Sequence, residues 1–106
     1  MLKTILIDDE SKALDSLAWE LENFCDQIEV LDKFTEPNKA LDFIKHNHID
    51  CIFLDIEMPT MDGFQFLNKI ESKDFAVIIT TAYDEYAIKA IKAQAIDYLL
   101  KPVDID

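Results

Sequence analysis

Residues 51–63 read CIFLDIEMPTMDG. The apolar run Cys51-Ile52-Phe53-Leu54 passes without interruption into Asp55, and the only glycine of the chain, Gly63, follows eight residues later. An unbroken apolar run, with no alternation of polar and apolar positions, is the pattern of a strand covered on both faces. A carboxylate directly after such a strand is costly unless it has partners, so the fold must bring something to it.

Working outward, the run has counterparts. Thr4-Ile5-Leu6-Ile7, Val30 to Phe34, Val77-Ile78-Ile79-Thr80 and Tyr98-Leu99-Leu100 read as further strands. Between them lie segments of helical period. Ser11 to Phe24 places Leu14, Leu17, Ala18, Leu21 and Phe24 on one stripe, the i, i+3, i+4, i+7 spacing of an amphipathic helix. Thr35 is placed to cap a second helix with Pro37 in its first turn and Leu41 and Ile44 facing inward. Asp62 and Gln65 form the sequence of a capping box that opens a third helix with Phe66, Leu67 and Ile70. Asp84 can cap a fourth, reaching about Ala93. The order βαβαβαβαβ predicts a three-layer, doubly wound α/β fold with a five-stranded parallel sheet. After the last strand only Val103-Asp104-Ile105-Asp106 remain, so a covering fifth helix is expected to be missing or truncated.

The 106 residues suit one domain, and half of them are apolar, enough for a packed core. Ten Lys and Arg against 22 Asp and Glu give a net charge of −12. That balance argues against binding of a nucleic-acid backbone by this domain alone, which needs clustered positive charge. It suits a soluble protein with a cation site or a basic partner. No apolar run approaches a membrane span, and the opening MLKTILIDDE does not read as a signal peptide, so a cytoplasmic location is expected. Cys25 and Cys51 match no metal or redox spacing, and Cys51 reads as a core residue. His46 and His48 lie near a helix end without ligand partners and read as solvated.

In a doubly wound sheet the site lies beyond the carboxyl ends of the strands. The residues at those places are Asp8-Asp9, Asp55, Thr81 and Lys101. Three converging carboxylates repel unless a cation sits among them. Oxygen ligands without His or thiolate select a hard ion, Mg2+ or Mn2+. Mg2+ held this way keeps positions open for phosphate oxygens. An aspartate nucleophile attacking phosphorus gives an acyl phosphate, with Lys101 and the Thr81 hydroxyl placed to meet the phosphoryl oxygens. Taken singly, each residue has a plainer reading: Asp8 and Asp9 as helix caps, Asp55 as a turn residue, Thr81 as a strand-end core residue, Lys101 as a surface lysine.

The motifs ILIDDE, FLDIEMPTMDG, IITTAYDE and DYLLKP, in this order and at strand ends, resemble the receiver domain of a two-component response regulator over residues 1–106. TAYDEYAIKAI and AIDYLLKP are similar to the LytTR (LytR/AlgR-type) class, whose receivers precede a DNA-binding domain. The resemblance implies a flavodoxin-like sheet of strand order 2-1-3-4-5. It implies that Asp55 accepts a phosphoryl group from a phosphohistidine on a sensor histidine kinase. Asp9 and Asp55 would bind Mg2+ directly, Asp8 mostly through water, and Glu57 through its backbone carbonyl. Lys101 would pair with the carboxylate and then the phosphate, Thr81 would move toward the phosphate, and Tyr98 would change rotamer with it. Pro102 resembles the family's cis proline. Glu57 and Tyr83 occupy places where the family varies phosphoryl-group lifetime. Ala95 departs from a glycine common in receivers, with little expected effect on the chemistry, since the LytTR class commonly has Ala there.

Two surfaces stand out for partners. Trp19 falls opposite the leucine stripe, which suits packing against the absent last helix or contact with a partner. The segment 84–93 is apolar on more than one side and, with strand 98–100, reads as a homodimer face. DNA would be reached only through a C-terminal domain beyond this chain. Two alternatives stand beside the receiver reading. One is a haloacid-dehalogenase-like phosphatase, disfavoured because that family carries its nucleophile on the first strand. The other is a receiver-like binding module that is never phosphorylated. The receiver reading implies self-catalysed acceptance and autodephosphorylation, not turnover of an external substrate.

Overall fold

The computed structural model describes residues 1–70 and 74–81, together with the backbone of residues 97–100. Its elements are β1 (Leu2–Ile7), α1 (Ser11–Phe24), β2 (Ile28–Phe34), α2 (Pro37–His46), β3 (Cys51–Asp55), α3 (Gly63–Asn68), β4 (Ala76–Thr81) and β5 (Asp97–Leu100). They build one five-stranded sheet in the order β2-β1-β3-β4-β5, parallel throughout. This is the expected doubly wound arrangement and strand order.

The apolar runs are continuous because both sheet faces are covered. Alternate residues go opposite ways. Ile5, Ile7, Ile52, Leu54, Val77 and Ile79 pack with Ala40 of α2 and Phe66 and Leu67 of α3. Leu6, Cys51 and Phe53 pack with Leu14, Leu17, Ala18 and Leu21 of α1. Full burial of a side chain such as Ile5, Ile52 or Leu54 contributes about 1.5–3 kcal/mol. Burial also raises the Cys51 thiol to about 11, with the Asp50 charge adding to the effect. Cys51 is therefore the inert core residue its setting predicts.

Three local expectations need correction. Thr35 does not cap α2: the N-cap is Glu36, which makes no side-chain cap bond, and Pro37 opens the helix at its first position. Pro fixes the helical φ and lacks an N–H that would need a partner, so the start tolerates a missing cap. Phe24 does not complete the apolar stripe. It sits on the last residue of α1, exposed, and meets the exposed Trp19 edge-on with ring centroids 5.8 Å apart. The strands also run longer than their apolar cores, because ladder hydrogen bonds continue through exposed residues such as Leu2, Lys3 and Glu29. Trp19 itself, 56% exposed, points away from the sheet as expected. The fourth helix over 84–93, Tyr83, Ala95, Lys101, Pro102 and the side chain of Tyr98 lie outside the described residues.

Candidate functional site

The register of the two central strands places the site. Ile7 pairs with Leu54 across β1 and β3, so the residues one step on, Asp8 and Asp55, come side by side at the carboxyl edge. Asp55 is the last residue of β3 and pairs with Thr80 of β4. Thr81, one step further, ends β4 and is 1% exposed. The crossover connections of a parallel sheet thus deliver Asp8-Asp9, Asp55 and Thr81 to one edge, as the sequence predicts.

Asp8, Asp9 and Asp55 can each offer a carboxylate oxygen such that all three lie within 4.8 Å of one another. Asp8 is 5% exposed and Asp55 3%, while Asp9 is open to solvent. Two buried carboxylates beside a third carry a repulsion that a cation relieves. The donor set is oxygen alone, which fits a hard divalent ion such as Mg2+. The ends of the cluster are held by backbone. The Asp8 N–H donates to the Phe34 carbonyl at 3.0 Å. One Asp8 oxygen accepts the Glu10 N–H at 2.9 Å. The N-cap of α1 is Glu10, with no side-chain cap, so Asp8 supports the helix entrance without being its cap. Part of its plainer reading and its membership in the cluster hold together.

The loop after Asp55 is pinned at both ends. Ile56, Met58 and Met61 are buried in the core beneath α2 and α3, and Glu57 points out to solvent. The Ile56 N–H donates to the Thr80 carbonyl at 3.3 Å, and the Gly63 N–H returns to the Ile56 carbonyl at 2.8 Å. Asp62 then closes its capping box: its carboxylate accepts the Gln65 N–H at 2.8 Å, and its own N–H donates to the Gln65 side chain at 3.0 Å. Among the described residues no buried side-chain polar atom lacks a partner.

Sequence reasoning passed over Asp50, at the opposite end of β3. Its carboxylate accepts the Lys3 N–H at 2.8 Å and meets the His48 imidazole at 3.0 Å. The backbone bond from Lys3, with His48 beside it, holds this carboxyl below the usual range. The signal available was an acid immediately before a buried strand. His46 bonds the Asp42 carbonyl at 2.9 Å on the surface, and neither histidine joins the acid cluster.

Comparison with known proteins agrees with this geometry. Residues 4–106 match the family described as response regulator receiver domain. The chain is 39% identical over 104 residues to protein MrkE of Klebsiella pneumoniae, covering 95% of this chain and 38% of that protein. It is 38% identical to the transcriptional regulatory protein YpdB of Escherichia coli K12, over 95% of this chain and 42% of that protein. It is 36% identical to the sensory transduction protein LytT of Bacillus anthracis, over 98% and 43%. The chain thus spans roughly two fifths of the length of these relatives. Among solved structures, the response regulatory domain of MrkE superposes with a TM-score of 0.86 at 33% identity, covering 97% of this chain and 85% of that one. The response regulator TrrA of Thermotoga maritima, in complex with Mg2+ and a beryllium fluoride, superposes with a TM-score of 0.85 at 29% identity, covering 100% and 91%.

Proposed function

The chain belongs to the response regulator receiver domain family, and on that premise we propose that Asp55 accepts a phosphoryl group from a sensor-kinase phosphohistidine in a Mg2+-dependent reaction. The observation that carries the reading is the convergence of Asp8, Asp9 and Asp55 at the carboxyl edge of the sheet. The Mg2+ complex of TrrA supports the choice of ion.

The residues divide the work as follows. An Asp55 carboxylate oxygen attacks phosphorus; the P–N bond to the histidine breaks, its electron pair stays on the ring nitrogen, and the imidazole takes up a proton from solvent. Asp8, Asp9, Asp55 and the Glu57 carbonyl would hold the ion. Bound there, Mg2+ offsets the negative charge of the carboxylates and of the phosphoryl oxygens. The Thr81 hydroxyl donates a hydrogen bond to a phosphoryl oxygen, and Lys101 supplies a positive charge to the phosphoryl oxygens. Thr81, drawn toward the phosphate, and Tyr98 then carry the change across the 81–102 face. Water attack on phosphorus would then break the P–O bond to Asp55, releasing inorganic phosphate and returning the carboxylate, the autodephosphorylation of the receiver reading.

That face would govern a homodimer through segment 84–93 and strand 98–100, and an output domain beyond this chain. The similarity to YpdB, named a transcriptional regulatory protein, and to LytT supports a DNA-binding output of the LytTR class. Among the described residues no helix is long and apolar enough to cross a membrane, which accords with a cytoplasmic regulator. The test is labelling with acetyl phosphate. The wild-type chain is expected to take up one phosphoryl group only when Mg2+ is present, and Asp55→Asn none. Uptake that persists in Asp55→Asn removes Asp55 as acceptor; no uptake by the wild type favours the binding module that is never phosphorylated.

A further inference from the structure

We propose that Gly63 is a positioning residue for the acceptor carboxylate of Asp55 and for the Glu57 carbonyl, because only a bare Cα lets α3 begin against the Asp55–Ile56 peptide. The inference rests on the phosphoryl-acceptor reading above.

The requirement is for space. The φ of Gly63 lies outside the left-handed region, so any residue could adopt its backbone. A Cβ there, however, would stand 2.6 Å from the Asp55 carbonyl oxygen, 3.1 Å from Ile56 Cα and 3.2 Å from Ile56 Cδ1. The two shorter contacts are to backbone, which cannot rotate away as a side chain can. Both bodies that meet here are fixed. On one side, Asp55 is laddered to Thr80 and Ile56 donates to the Thr80 carbonyl. On the other, α3 is held by its capping box and by the buried Phe66 and Leu67. The bond from the Gly63 N–H to the Ile56 carbonyl, 2.8 Å long, ties the two together.

Adding a methyl group would therefore force the end of β3 and the start of α3 apart, from 2.6 Å toward the 3.4 Å at which ordinary contact begins. The displacement falls on the peptide that carries the Asp55 carboxylate, and the Glu57 carbonyl follows two residues on. Mg2+ demands near-ideal octahedral geometry at about 2.0–2.1 Å, so such a shift is felt at the ion before it is felt by the fold. Outer partners that orient metal ligands typically govern affinity by about 10–100-fold, and Gly63→Ala is expected to fall in that range.

The experiment uses the whole chain and titrates Mg2+ while amide resonances are followed by NMR. Gly63→Ala is expected to shift the Asp55, Ile56 and Glu57 amides in metal-free protein and to weaken Mg2+ binding by about tenfold or more. Adding Ile56→Val removes only the Cδ1 contact and should restore little. Asp62→Ala, which loosens the start of α3 without adding a Cβ, should keep Mg2+ affinity within about twofold. Wild-type affinity in Gly63→Ala, recovery on adding Ile56→Val, or an equal loss in Asp62→Ala would each overturn the proposal. Should Gly63→Ala not fold, the wild type still decides. Mg2+ is expected to slow exchange of the Gly63 amide by more than that of Leu21 in α1, and equal slowing counts against the tie. A wild-type chain that does not respond to Mg2+ at all brings down the acceptor reading, and this inference with it.

Discussion

Asp50 and Asp55 stand at the two ends of the same short strand, and the sheet uses them in opposite ways. Asp50 spends its oxygens on protein donors, the Lys3 N–H and the His48 ring, and stitches β1 to the entrance of β3. Asp55 lies buried beside Asp8 and Asp9, a grouping that stores charge of one sign. Asp50 serves the fold, and on the reading proposed above Asp55 serves a ligand. Residue type, strand and even neighbouring strand are shared. What differs is which end of a parallel sheet the residue occupies, and so which loops and helix starts converge on it.

The comparison breaks most sharply in the labelling assay. Asp50→Asn should accept a phosphoryl group as the wild type does, where Asp55→Asn accepts none; parallel loss in both would erase the distinction. The next largest effect is on stability. Mg2+ at ten times its Kd is expected to stabilise the wild type and Asp50→Asn by about 1.4 kcal/mol, seen as a rise in Tm of several degrees. That rise should vanish in Asp9→Asn and in Asp55→Asn.

Asp62 sharpens the point, because it lies at the carboxyl edge yet belongs with Asp50. Its carboxylate is taken up by the Gln65 N–H. Asp62→Ala should cost about 1 kcal/mol in urea unfolding, the usual worth of a cap, while labelling proceeds. The smallest effect concerns acid. The folded-state pKa of Asp50 is depressed, so its contribution to stability is present above the usual carboxylate range and lost as pH falls through the folded value. The stability difference between wild type and Asp50→Asn should therefore shrink between about pH 5 and about pH 2. A difference that does not change with pH would show that the Lys3 bond does not depend on the charge.

The sheet was legible because burial on both faces writes itself into unbroken apolar runs, and α1 was read from Ser11 to Phe24 at both ends. The strand ends were not. Lys3 and Glu29 pair through their backbones while their side chains remain at the surface, so composition is silent about them. Nor could the sequence reveal the irregularity between Thr4 and Ile5, where the partner in β2 jumps from Val30 to Asp32. A register shift of this kind depends on how two distant strands settle together. At the site, the three acids were legible as residues at strand ends. Gly63 was not: a lone glycine in a loop suggests a turn, and only the packed structure shows that it is a close approach of two backbones.

The pairing of β1 with β3 has a further consequence, for folding. Lys3 and Asp50, the pair just below this ladder, are 47 positions apart in the chain. Bringing them together closes a long loop at an entropic cost that must be met before any contact repays it. Asp8 and Asp55 cannot be neighbours until that closure is made, so no local hairpin brings the three acids together. On the proposed reading, affinity for the ion would therefore appear with the β2-β1-β3 core. A chain whose β1 and β3 have not yet paired would, on the same reading, offer a kinase no assembled site, and ion binding would report that this pairing has formed.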